Sequence, residues 1–182
     1  SSESRGLGDV YKRQVLDKAT DHFSQAADFY DNYENSPILP PILKRMGDIY
    51  YHQGRYNLAL VHYFNAIDHE RIQNNIENVI AIRLALAATY LQLVNFPLAE
   101  QYLERAEELL SYVDIPKLKA QALLLEAGLA SHQRHPQEVV AKATKALDIA
   151  VELEDLSIQK NAYQMLNVGN ELLGNYKAAL QY

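Results

Sequence analysis

Cysteine and tryptophan are absent from this 182-residue chain. Without cysteine there is no disulfide, no thiolate nucleophile and no Cys-ligated zinc, a composition compatible with the cytoplasm or the bacterial periplasm. No apolar run approaches the roughly 18 residues that a membrane span requires, and no secretory signal opens the chain. Positive charge is also scarce, with 17 Lys and Arg against 23 Asp and Glu and a formal net charge of -6. The basic residues form no run longer than Lys12-Arg13 or Lys44-Arg45. A nucleic-acid binder needs clustered Lys and Arg to displace counterions from phosphates, so nucleic acid is not an expected partner. A Gly-rich phosphate loop, a nucleophile elbow and a Ser-His-Asp order are missing too, so neither catalysis nor a cofactor is expected.

What is present is helical periodicity. Ser1 to Gln14 has no apolar stripe, and its GLGDVYKRQ portion resembles a translated sequencing-adaptor read-through. It is read as a non-native leader, a natural disordered leader being the alternative. From Val15 to Tyr33, Leu16, Ala19, Phe23, Ala26, Ala27 and Tyr30 recur at three- and four-residue steps, the mark of an amphipathic helix. Asn35-Ser36-Pro37 stops it, because proline cannot continue a helix and restricts the residue before it. Pro40-Pro41 then suit a first helical turn, where the missing amide hydrogens would have no partner anyway.

The pattern predicts helices to about Gln53, over Tyr56–Asn74, Ile76–Val94 and Phe96–Tyr112, from just after Asp114-Ile115-Pro116 to His132, from Pro136 to Leu153, and over Leu156–Leu173. Gly54 and Gly174-Asn175 are turn residues, glycine being free to take positive φ at a helix C-terminus. Turns this short make paired helices antiparallel. The turns align with a constant offset of forty: Tyr56, Phe96, Pro136 and Tyr176, followed three residues on by Ala59, Ala99, Val139 and Ala179. Ala66, Ala106 and Ala146 form another small column, and Gly47, Ala87, Ala127 and Asn167 a third. Small residues at a crossing let two helices approach closely.

Leu43, Met46, Gly47, Tyr50, Gly54, Tyr56, Ala59, Tyr63 and Ala66, with the rows that repeat them, resemble the tetratricopeptide repeat. The resemblance covers Leu16 to Tyr182. It is weaker in the third unit, where Glu126 replaces an apolar residue, Ala130 the usual Tyr and Ala143 a large side chain. The usual repeat of that family is 34 residues, and the longer unit here is similar to repeats of bacterial regulatory proteins. The resemblance implies an all-α, right-handed superhelical array of antiparallel helix pairs. Its divisions are a half repeat at 15–35, repeats at 40–75, 76–115 and 116–155, and a truncated repeat at 156–182.

The resemblance also implies a function: a scaffold binding a protein or peptide segment in a concave groove lined by the first helix of each pair. The matching positions are Lys44, Asp48 and Tyr51, then Leu84, Ala88 and Leu91, then Gln121, Leu124 and Gly128, then Gln164 and Val168. For Leu84 and Leu124 the same spacing also suits packing between repeats. The alternative function is the sensory or regulatory region of a larger bacterial signalling protein, a diguanylate cyclase, histidine kinase or transcription regulator. Members that grip a chaperone's C-terminal carboxylate use Lys, Arg and Asn on successive first helices. Here Lys44, Asp48, Ala85, Gln121 and Leu125 stand at the matching positions and only the lysine fits, which argues against such a clamp.

Other polar sets read as ordinary surface. His62 and His69 are seven apart where a helical chelating pair prefers four, and His132 and His135 flank a turn, so no metal site is expected. Glu100, Glu104 and Glu108 form an i, i+4 ladder on an exposed face. Of the thirteen tyrosines, Tyr50, Tyr56, Tyr63, Tyr90 and Tyr176 occupy repeat columns. Tyr51, Tyr102, Tyr112 and Tyr163 are less constrained.

Overall fold

The computed structural model describes residues 15, 17–19, 21–26, 37–73 and 75–174, without the side chains of 70–73. Among the described residues all regular structure is helical, so the chain is all-α. Residues 15, 17–19 and 21–26 are helical and are termed α1. There follow α2 (Leu39–His52), α3 (Tyr56–Gln73), α4 (Ile76–Gln92), α5 (Phe96–Leu110), α6 (Pro116–His132), α7 (Pro136–Glu152) and α8 (Leu156–Leu172). These bounds lie within two residues of those read from apolar spacing. Tyr176 and Ala179, which close two of the columns, and the leader 1–14 lie outside the described residues.

One turn geometry joins α2 to α3, α4 to α5 and α6 to α7, and it also joins α7 to α8, where Glu154 has φ 53° and the Asp155 N–H donates to the Ala150 carbonyl at 3.0 Å. The N–H groups of Arg55, Asn95 and His135 each donate to the carbonyl five residues back, on Tyr50, Tyr90 and Ala130, at 2.9 Å. This is the longer bond of a Schellman-type ending, and it requires a left-handed residue just before the donor. Gly54 has φ 73°, Val94 58° and Arg134 58°, and after α8 Gly174 has φ 73°. The glycines adopt this conformation without a steric penalty. Val94 does not, because a left-handed L-residue crowds its Cβ against the following carbonyl at a cost of roughly 1–2 kcal/mol. Asn95, the next residue and a type that tolerates the left-handed region better than valine, instead caps α5 by accepting from the Leu98 N–H at 3.3 Å. Val94 is 65% exposed, so little packing is lost with its side chain. Val94→Gly is therefore expected to stabilise the protein by about 1 kcal/mol in urea denaturation. An unchanged or lower midpoint would show that the turn carries no such strain.

The chain divides into two compact units at Ala85/Leu86, inside α4. In the first, α2 packs along α3. Leu39, Leu43, Met46, Ala59, Tyr63 and Ala66 are buried, with Ile80 and Ile82 from the first part of α4. Ala59 and Ala66 are fully buried, and Gly47 lies under the ring of Tyr63. The small columns thus mark a close crossing.

In the second unit α5 packs on α6, α6 on α7, and α8 on both α6 and α7. Ala120, Ala146, Ala150 and Ile158 form one buried cluster, and Ala127, Ala130 and Val139 another. The N-terminus of α8 is capped by Asp155, whose carboxylate accepts from the N–H groups of Ser157 and Ile158 at 3.1 Å and meets Lys117 Nζ at 2.9 Å. The Lys117 ammonium first, then the Ile158 N–H, hold this carboxyl below the usual range for aspartate.

Candidate functional site

The first-helix residues singled out by the repeat pattern fall into both units. In the first, Lys44 Nζ donates to both carboxylate oxygens of Asp48, at 2.9 and 3.1 Å. The Tyr63 hydroxyl donates to the same carboxylate at 2.9 Å. Burial first, then the adjacent Asp48 charge, push the Tyr63 phenol up, so it remains a protonated donor. Lys44 and Asp48 keep about a quarter of their side-chain surface exposed, at 27% and 26%. They therefore brace α2 against α3 and still present a polar edge to solvent. Tyr51 is half-buried and meets the Tyr56 ring edge-on at 5.5 Å. Leu84 is only 3% exposed and offers a ligand almost no surface, the packing role that its spacing also suits.

In the second unit Ala88, Leu91, Gln121, Leu124, Gly128 and Val168 are half-buried and Gln164 is exposed. Two of these meet directly: a Cβ on Gly128 would stand 2.9 Å from Leu91 Cδ2, so the bare backbone of α6 accommodates Leu91 of α4. Leu124 packs on the cluster of Ala120, Ala146, Ala150 and Ile158. Gln164 lines a shallow recess of about 410 Å³ with Leu156, Gln159, Lys160, Tyr163 and Asn167.

A pair of columns that the groove positions do not include carries more of the chemistry. Tyr50 of α2 stacks on His62 of α3 at 5.1 Å and 9°. Forty residues on, Tyr90 of α4 stacks on Tyr102 of α5 at 5.6 Å and 11°. Tyr102, unconstrained by the repeat pattern alone, is thus half of an aromatic pair, and the forty-residue offset from His62 is the signal that could have found it. In the third pair the same positions hold Ala130 and Lys142. Loss of the aromatic partner there leaves Lys142 to form an ion pair with Glu126 of α6. That accounts for the carboxylate at a position where the repeat would place an apolar residue. Nearby on α5, burial pushes the Glu107 carboxyl up, with Lys142 pulling the other way.

The remaining histidines and carboxylates make local contacts. His132 rests on Phe96 at 4.8 Å, His135 lies 3.8 Å from Glu138, and Gln133 donates to Glu100 at 3.0 Å. Among the described residues no group of three or more His, Cys, Asp or Glu is placed to hold a metal ion. Among them, too, no helix is long and apolar enough to cross a membrane.

No family model and no curated protein matches the chain. Among solved structures, the crystal structure of BtubC (BKLC) from P. vanneervenii is similar, with a TM-score of 0.72 and 19% sequence identity. The match covers 94% of this chain and 71% of that one. At such identity the likeness is one of fold.

Proposed function

We propose that the chain is a tetratricopeptide-like helical repeat, a right-handed array of helix pairs, that binds a protein or peptide segment along its first helices. The observation that carries this reading is the return, at a forty-residue offset, of buried small residues, Ala59, Ala99 and Val139 with Ala66, Ala106 and Ala146, beside left-handed turn residues at Gly54, Val94 and Arg134. A unit that returns with the same turn and the same buried small residues is the basis of a stacked repeat, and stacked repeats offer extended surfaces for partner segments. The quarter-exposed Lys44–Asp48 pair and Tyr51 are the polar groups by which the first unit would read a segment, and Gln121 and Gln164 are those of the second unit, each unit taken by itself.

The test is positional. A photo-crosslinking residue placed at Tyr51, Gln121 or Gln164 of the full-length protein is expected to capture a partner, whereas the same residue at Glu104 or Thr144, on exposed second-helix faces, is not. Capture from Glu104 and Thr144 instead, or equally from all five positions, would overturn the assignment of the binding face.

A further inference from the structure

We propose that His62 makes the α2–α3 pair proton-sensitive: in mildly acidic solution its imidazole becomes charged in a closed stack and the pairing of the two helices weakens. Three observations carry this. His62 stacks nearly parallel on Tyr50, at 5.1 Å and 9°. The same tyrosine ring already carries the Arg55 guanidinium, whose carbon lies 4.9 Å from the ring centroid. The Nδ1 atom of His62 is buried and has no hydrogen-bond partner among the described residues.

Neutral imidazole tolerates this setting, because Nδ1 can keep a bare lone pair while the other ring nitrogen holds the proton. The imidazolium cannot, because both nitrogens must then donate and the buried one has nothing to donate to. Its charge would also share one ring with Arg55, so the attraction between a cation and an aromatic face is offset by repulsion between two cations. The ionisable groups in contact with this stack include Tyr50 of α2 and Arg55 of the turn, and one residue along α3 stands Tyr63, whose hydroxyl is engaged with Asp48. Asp48 in turn holds Lys44, so its charge is already matched. Burial accordingly lowers the pKa of His62 below 6.5.

A histidine depressed in the folded state binds fewer protons than in the unfolded chain. Its contribution to stability is therefore present above 6.5 and is lost as pH falls through that value toward the lower folded one. The second unit supplies an internal contrast, since the matching stack there pairs two tyrosines, Tyr90 and Tyr102, and contains no imidazole. His62→Tyr thus converts the first stack to the kind already present in the second.

The experiment uses the full 182-residue chain. Histidine ring resonances are followed by NMR from pH 8 to pH 4.5, and urea unfolding of wild type, His62→Tyr and His135→Gln is measured at pH 7.5 and pH 5.5. The expected result is a His62 midpoint below 6.5 in the wild type. The acid-side fall in the unfolding midpoint should persist in His135→Gln and shrink in His62→Tyr. A His62 midpoint at or above 6.5 would overturn the proposal even if the variant failed to fold, and so would the same acid-side fall in wild type and His62→Tyr.

Discussion

Replacing Gly47 by alanine is expected to destabilise the first unit by about 2 kcal/mol or more, although alanine is the better helix former. The site is in the middle of α2, where glycine costs up to about 1 kcal/mol relative to alanine, so propensity alone predicts a gain. Packing reverses the sign. A Cβ at this position would lie 2.4, 2.6 and 2.9 Å from three carbons of the Tyr63 ring. That ring is 2% exposed and its hydroxyl is tied to Asp48 at 2.9 Å, so it has nowhere to go without breaking the network with Lys44. Gly128→Ala is the informative comparison, because among the described residues the atom a Cβ would meet there is the end of the Leu91 side chain, which can swing aside. Urea unfolding read by hydrogen exchange in α2 and α3 checks the prediction. A Gly47→Ala variant as stable as wild type, or as mildly affected as Gly128→Ala, would show that α2 and α3 do not approach this closely.

The second large effect concerns Lys142 and Glu126. Lys142→Met should cost about 1–3 kcal/mol, because it leaves a shielded carboxylate without its partner. The cost falls short of the about 3–5 kcal/mol of a fully buried pair, since the two side chains retain 31% and 19% of their exposure and water screens them in part. Glu107 adds to the effect, as its carboxyl is already pushed up by burial and Lys142 is the cation that opposes this. Replacing both partners, Lys142→Met with Glu126→Leu, is expected to recover most of that loss, because Glu126 is then no longer a shielded carboxylate without a partner, leaving a deficit of about 1 kcal/mol from Glu107, which still lacks its cation. A double-mutant cycle by chemical denaturation measures this coupling. Additive losses would mean that the two residues do not act as a pair.

Much of the fold was legible because helix formation is a short-range matter. Apolar residues at three- and four-residue steps placed all seven helices from α2 to α8, and Pro40-Pro41 and Pro136 stood at helix openings. The columns of Ala59, Ala99 and Val139 and of Ala66, Ala106 and Ala146 are indeed buried, since a close crossing tolerates only small side chains. The candidate site was less legible. Groove positions were assigned by register, but register does not say how deeply a side chain is covered, so Leu84 at 3% exposure and exposed Gln164 read alike in the sequence. Likewise nothing in local spacing distinguishes Lys142 from a solvated lysine, because its partner Glu126 lies sixteen residues away on another helix.

Helices, turns and the forty-residue recurrence are written in the order of residues, because they follow from backbone sterics and from which residues can face inward. Tertiary structure alone decided what the variable positions do. It set His62 on Tyr50, joined Lys142 to Glu126, closed Lys44, Asp48 and Tyr63 into one network, and put the strain of the second turn on Val94 rather than Asn95. The physical reason is that burial and partnership depend on neighbours brought together by packing, and packing is a property of pairs of helices rather than of one.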